Sequence, residues 1–198
     1  MKTRLLFSSF PFISSDKVTL SHITDLDIDA LWEIMGDDEN YRFSPSSAKE
    51  TKTEVAAKLR EFDAAFQAER AVVLGIYDNR KLNQLVGMLE LSEFNPEIEA
   101  LTLNIMLGKK YTGYGFASAA VSAAVKYLFE SICVRRIQAY VMPTNYRAER
   151  MFERCGFVRE GTIREGFLWP DKGIVDLTIY SMLPSDLKPK STGTKYYL

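Results

Sequence analysis

Between residues 100 and 157 the order of apolar and polar residues admits few folds. An apolar run, ALTLNIML (Ala100–Leu107), reads as a strand. It passes through a basic, glycine-bearing turn, GKKYTGYGFA (108–117), into a helix that the pattern carries to about residue 131. A second strand, RIQAYVM (136–142), and a shorter helix closing on Gly156 and Phe157 follow.

The turn has a physical use of its own. A strand that runs through Gly113 and Gly115 into a helix leaves several backbone N–H groups aimed at one spot, beside the positive end of the helix dipole. Such a spot holds phosphate. Glycine lets the backbone come close to an anion, and Lys109 and Lys110 add charge. A strand, a glycine turn and a helix are equally what an ordinary β-α connection looks like, so the turn alone leaves both readings open. Two other phosphate loops can be tested. A dinucleotide fingerprint calls for Gly or Ala where Ser118 stands and an acidic residue ~20 positions on; Val141 and Met142 end the next strand, and the match is weak. The P-loop calls for Lys and then Ser or Thr directly after its last glycine. Gly115 is followed by Phe116 and Ala117, and the match fails.

Lys110-Tyr111-Thr112-Gly113-Tyr114-Gly115, followed by Phe116-Ala117, resembles the acetyl-CoA pyrophosphate loop of the GNAT superfamily of N-acetyltransferases, Gln/Arg-x-x-Gly-x-Gly/Ala. Lys110 departs from the pattern: it keeps the charge of Arg without the planar fork. Val141-x-Pro143-x-Asn145-x-x-Ala148, then Phe152 and Cys155-Gly156-Phe157, is similar to the signature of the RimJ/RimL-type branch. Those enzymes acetylate protein N-termini, amino acids, polyamines and related amines. The resemblance implies an α/β (α+β) domain of the GNAT fold, with a mixed, mostly antiparallel sheet of six to seven strands flanked by about four helices.

Composition bounds the remaining possibilities. A chain of 198 residues forms one domain able to bury a full core, here expected over 18–184, with an N-terminal extension over 1–17 and a loose tail over 185–198. The net charge is −1, which argues against a nucleic-acid surface or a membrane-adsorbing one. Cys133 and Cys155, without metal-like spacing, read as reduced and buried in a cytoplasmic protein. His22 is the one histidine, so sites needing two imidazoles fall away, and at a strand end it reads as structural. No metal is expected. The N-terminal LLFSSFPFI is short, broken by Ser8, Ser9 and Pro11, and lacks a cleavage site; it reads as a flap over the domain rather than a leader. No run approaches the ~20 apolar residues of a membrane span.

Along the rest of the chain, 18–23 reads as a strand and 25–36 as a helix stopped at Gly36. A polar stretch with Pro45 precedes a longer helix over 49–70, with Val55, Leu59, Phe62 and Phe66 on one stripe. Strands at 71–77 and 84–91, a connection over 93–99, and the strand at Ala100 form an antiparallel meander. The pairs 158–169 and 176–183 form a closing hairpin turned by Pro170-Asp171-Lys172-Gly173.

The resemblance also implies chemistry. A neutral amine attacks the thioester of acetyl-CoA directly, so a base must deprotonate the arriving ammonium and the thiolate needs a proton donor. The backbone of Ile105, Met106 and Leu107 pairs with the pantetheine arm, and Lys110 with Gly113, Tyr114, Gly115, Phe116, Ala117 and Ser118 holds the pyrophosphate. Asn145 reaches the arm, although its type and place equally suit a helix N-cap. Relatives often carry Glu, Ser and Tyr at the positions of Thr102, Ala148 and Phe152; this chain has none of the three. Glu90 is then the carboxylate expected to take the proton, against the plainer reading of an outward strand residue. The expected acceptor is a protein N-terminal α-amino group, possible in a ribosomal protein, with a small amine, a non-catalytic acetyl-CoA sensor or a nucleotide-dependent enzyme as alternatives. The oligomeric state is left at monomer or homodimer.

Overall fold

The computed structural model describes residues 1–44, 46–81, 84–142, 144–169 and 172–187. Pro45, Pro143, the Pro170-Asp171 half of the hairpin turn and most of the expected tail lie outside the described residues. The helices are α1 (Thr3–Leu6), α2 (Ile28–Met35), α3 (Lys52–Gln67), α4 (Phe116–Glu130) and α5 (Tyr146–Arg154). The strands are β1 (Ile13–Ser14), β2 (Val18–Ser21), β3 (Val72–Asp78), β4 (Gln84–Asn95), β5 (Ala100–Leu107), β6 (Arg136–Val141), β7 (Val158–Trp169) and β8 (Gly173–Met182).

Among the described residues eight strands form one sheet in the order β1-β2-β3-β4-β5-β6-β8-β7. That is one strand and one helix more than the sequence pattern gives, and both, β1 and α1, come from the N-terminal segment. The flap expected there is packed in: Leu6 is fully buried and Phe10 stacks on Phe66 with ring centroids 3.8 Å apart. His22 joins them, its ring 3.7 Å from that of Phe10 and its Nε2 2.8 Å from Asp63 Oδ1. Among the described residues no helix is long and apolar enough to cross a membrane.

Strand alternation sorts the core into layers. Leu89, Leu91, Leu101, Leu103, Ile137 and Ala139 face α4 and α5, whose Ala120, Val121, Ala124 and Phe152 fill that side. Val73, Tyr77, Leu85 and Met88 point the other way, onto α2 and α3 through Leu31, Ile34, Val55 and Leu59. Each fully buried Leu or Ile contributes roughly 1.5–3 kcal/mol. α3 starts on a capping box in which Thr51 and Glu54 satisfy each other's backbone N–H groups. The same helix is shorter than the 49–70 the apolar stripe suggests, because that cap sets its first turn.

Two strand boundaries also differ from the sequence reading. β8 begins at Gly173, pairing with Trp169, because a glycine at φ +75° can close the hairpin there. β4 runs on to Asn95 through a bulge between Ser92 and Asn95, with Glu93 in the left-handed region at φ 51°. A bulge keeps a strand paired past a point where the side-chain alternation breaks, so the pattern stops short of it. Cys133, expected to be buried, is exposed because it sits at φ 59° in the turn after α4.

One pairing positions everything else. β5 and β6 are parallel and pair over three rungs only, Ala100–Arg136, Leu101–Ile137 and Thr102–Gln138. Beyond Thr102, β5 continues beside β4 as far as Leu107 while β6 continues beside β8 as far as Val141. The two strands therefore part in the middle of the sheet.

Candidate functional site at the parting of two strands

From Leu103 onward the β6-facing edge of β5 has no strand partner, and Ile105, Met106 and Leu107 lie along it. An open strand edge inside a sheet is a template for an extended ligand. The turn that follows is a short helical turn over Lys109–Tyr111, then Gly113 at φ +87° and Gly115 at φ +79°. Gly115 is the N-cap of α4 and offers no side chain to it, so the first-turn N–H groups of Phe116, Ala117 and Ser118 have no partner within the helix. Nothing lies within 4 Å of where a Cβ on Gly113 would stand. Within the described protein, glycine is called for there by its backbone angle, and a side chain would point into open space. Tyr114 projects from the turn 63 % exposed, whereas the ring of Phe116 belongs to the core, so only its backbone is available.

The charges around the turn are arranged differently from the sequence reading. Lys109 Nζ is 3.0 Å from Glu39 Oε2, and Lys110 is ion-paired to Glu33, which also holds its ammonium above the usual lysine range. The ammonium that stands over the start of α4 is that of Lys17, 5.6 Å from the Phe116 ring centroid and 3.2 Å from a Cβ placed on Gly115. Lys17 reaches the turn from the β1–β2 connection, and no local pattern could have revealed it. A cavity of about 260 Å³ separates α2 from the turn, lined by Glu33, Ile34, Asp37 and Gly108 to Tyr111. Asn145 caps α5, its side-chain oxygen accepting from Ala148 N at 3.3 Å. Its structural role is therefore present, and its side chain remains half-exposed.

The opposite face of the sheet carries side chains. Glu90 pairs with Asn104 across β4 and β5 and with Val73 across β3 and β4, so it shares the face of Met88, Met106 and Thr102. It is half-buried, with no hydrogen bond or ion pair among the described residues. Next to it lies a connected cluster that the sequence did not reveal. Thr102, 2 % exposed, donates its hydroxyl to Glu93 Oε2 at 2.6 Å. Gln138 Nε2 donates to Thr102 Oγ1 and to the Tyr140 hydroxyl oxygen, each at 3.2 Å. Arg136 Nε donates to Gln138 Oε1 at 3.3 Å and its guanidinium grips Glu160 at 2.7 and 2.6 Å. Those bonds, with one from Ser181, hold the Glu160 carboxyl down at about 2.

Thr102 thus receives a carboxylate from the neighbouring strand. The bulge makes this possible, because the left-handed backbone at Glu93 re-aims its side chain. Tyr140 rests on an apolar cluster of Met142, Trp169 and Leu177, with Phe43 and Phe167 beside it. Burial, then the charge of Glu93, pushes its phenol above the ordinary tyrosine value. Among the described residues no group of three or more His, Cys, Asp or Glu side chains is placed to hold a metal ion.

An open strand edge leading to uncapped helix amides, with a carboxylate-bearing face beside it, suits an extended anionic ligand. Comparison with known proteins agrees. Over 100 residues the chain is 33 % identical to spermidine N(1)-acetyltransferase of Vibrio cholerae, spanning 50 % of this chain and 56 % of the relative. Over 119 residues it is 28 % identical to the [ribosomal protein uS5]-alanine N-acetyltransferase of Escherichia coli, spanning 58 % and 61 %. Its fold superposes on Mycobacterium smegmatis RimJ in complex with CoA-disulfide with a TM-score of 0.79 at 18 % identity, over 91 % of this chain and 89 % of that one. Residues 17–158 match the model of the acetyltransferase (GNAT) domain, and the chain belongs to that family: it is an acetyl-CoA-dependent N-acetyltransferase.

Proposed function

We propose that this enzyme moves the acetyl group of acetyl-CoA to the N-terminal α-amino group of a protein, of the ribosomal-protein-alanine type, in the cytoplasm. The carrying observation is the state of the carboxylates around the acceptor face. Glu33 and Glu39 are paired with lysines, Glu160 with Arg136, and Glu93 with the Thr102 hydroxyl. Glu90 has no such partner among the described residues. A polyamine carries several charges and calls for several free carboxylates, whereas an α-amine brings one charge and then an uncharged peptide. Glu90, the one of these five carboxylates without a side-chain partner, suits the second. The aromatic cluster of Phe43, Trp169 and Tyr140 supplies an apolar wall for the residues that follow the amine.

In this reading the backbone of Ile105 to Leu107 pairs with the pantetheine arm, and the amides from Gly113 to Ser118 take the pyrophosphate. Lys17 and Lys110 add positive charge, Lys110 while keeping its pair with Glu33, and Asn145 touches the arm while keeping its cap. Glu90, directly or through one water, takes a proton from the ammonium, and the freed amine attacks the acetyl carbon. Positioning the amine on the donor's carbonyl is the protein's main contribution.

Release of the CoA thiol tests this, measured with peptides beginning in Ala or Ser, their N-acetylated forms, spermidine and free amino acids. The free-amine peptides are expected to exceed spermidine in kcat/KM by about tenfold or more, within the range that one pocket achieves. Turnover of spermidine above every peptide sinks the N-terminal reading and leaves small-amine acetylation in its place.

A further inference from the structure

The cluster beside Glu90 has a fixed hydrogen-bond direction, and following it leaves the Tyr140 hydroxyl proton without an acceptor among the described residues. A carboxylate only accepts, so the Thr102 hydroxyl gives its proton to Glu93 and its oxygen must accept from elsewhere. Gln138 supplies that bond through Nε2. The orientation of its amide is set at the other end, because Arg136 only donates and holds Gln138 Oε1. Both N–H bonds of Gln138 Nε2 are then spent, one on Thr102 and one on the oxygen of Tyr140. The Tyr140 oxygen is thereby an acceptor, and its own proton is free to donate.

The far end of the cluster is anchored at the edge of the sheet. Arg136 is gripped by Glu160, which also accepts from Ser181 at 2.6 Å. Tyr140 lies two residues beyond Gln138, the last rung of the β5–β6 pairing, and so stands where the two strands separate. Its ring is fixed by the apolar cluster of Met142, Trp169 and Leu177, yet it is half-exposed on the acceptor face. Phe152, the residue at the place where relatives offer a tyrosine, has no hydroxyl and is 3 % exposed in the core on the other side of the sheet.

We propose that Tyr140 is the proton donor to the departing sulfur, and that Gln138, held by Arg136 and Thr102, is the positioning residue that keeps its hydroxyl proton pointed at the strand gap. The step balances as follows. The amine nitrogen forms its bond to the acetyl carbon, the carbon–sulfur bond breaks, and the thiolate takes the phenolic proton. Of the two protons the ammonium must lose, one goes to solvent and the other, taken up by Glu90, returns through water to the phenolate. The phenol suits the task because it keeps its proton at neutral pH.

The inference rests on the acetyl-transfer reading, and Tyr140→Phe tests it with the full chain, acetyl-CoA and the best amine of the screen above. The ring packing is retained and only the hydroxyl is lost. Expected is a fall in kcat on the order of 10²-fold, an unchanged KM for acetyl-CoA, and loss of the solvent deuterium isotope effect on kcat. Gln138→Leu keeps the phenol but frees it; kcat falls by about tenfold, as for one misdirected hydrogen bond, again without a change in KM for acetyl-CoA. Wild-type kcat in Tyr140→Phe overturns the proposal. If that variant does not fold, wild-type kcat and isotope effect in Gln138→Leu overturn it instead. A wild-type enzyme that acetylates no amine overturns the transfer reading itself, a result distinguishable from either variant's.

Discussion

On the helix side of the parted strands, the groups open to a ligand belong to the main chain: the free edge of β5 beyond Thr102 and the uncapped amides at the start of α4. On the opposite face they belong to side chains brought from β4 and β6, namely Glu90, Glu93 and Tyr140, oriented by Gln138 and the buried Thr102. The first kind of site depends on backbone angles, and almost any residue that permits those angles serves. The second depends on which atoms are donors and which acceptors, and one wrong side chain reverses a bond. In the proposed function, the difference separates holding the donor from doing chemistry on it.

The largest expected effect comes from the side-chain face. Glu90→Gln removes the carboxylate and keeps its shape, and kcat is expected to fall on the order of 10²-fold while the KM for acetyl-CoA stays within about twofold. The pH dependence of kcat changes with it. An unchanged rate and pH profile with a matched amine removes Glu90 from the chemistry. A raised KM for acetyl-CoA would instead merge the two sides into one site.

A main-chain site predicts the opposite split. Gly115 sits at φ +79°, a region that costs a side-chain-bearing residue about 1–2 kcal/mol and a β-branched one more. Gly115→Val is expected to raise the KM for acetyl-CoA by about tenfold or more, as 1.4 kcal/mol converts, with kcat at saturation nearly unaffected. The added side chain also meets Lys17 Nζ, 3.2 Å from its Cβ. Gly113→Ala separates the two causes, since that position has the angle without any neighbour within 4 Å. Initial rates at varied acetyl-CoA give both constants. A loss confined to kcat would show that the turn does not hold the donor.

The same division explains how much could be read from the sequence. The side proposed to hold the donor was legible because glycines at left-handed angles, an apolar strand and a helix are local, and each leaves its mark within a few residues. β5 appears with the boundaries its alternation gives, Ala100–Leu107, and α4 within one residue of the pattern. Asn145 showed itself as a cap for the same reason. The acceptor side was not legible. Glu93 lies in what the pattern gives as a connection, and only a bulge with a left-handed glutamate carries it onto Thr102. Tyr140 looked like any half-buried strand tyrosine until the register paired Gln138 with Thr102. Lys17 is separated from Gly115 by most of the domain's chain, and the ion pairs that occupy Lys109 and Lys110 reach back to Glu39 and Glu33. Contacts at such separation follow from topology, which composition and periodicity do not encode.

The smallest effect tests where the side-chain face stops being chemical. Glu160 holds the far end of the cluster, accepting two bonds from Arg136 and one from Ser181. Its carboxyl is lowered from 4.5 to about 2, chiefly by the Arg136 bonds and then by Ser181. A carboxyl lowered by folding stabilises the native state above the unfolded value, near 4.5, and that contribution is lost as the pH falls toward about 2. The full shift would convert to roughly 3 kcal/mol. The side chain is 37 % exposed, however, and water screens the pair to about 1 kcal/mol. Glu160→Gln is therefore expected to lower stability in urea by about 1 kcal/mol at pH 6, or about 2–4 °C in Tm, and the gap from wild type should close as both are taken toward pH 2. Arg136 keeps an oxygen to bind in the variant, so Gln138 stays oriented and kcat changes by no more than about threefold. A gap that stays constant with pH would mean that the Arg136–Glu160 charge pair adds nothing. A collapse of kcat at full stability would extend the catalytic cluster from Tyr140 to the edge of the sheet.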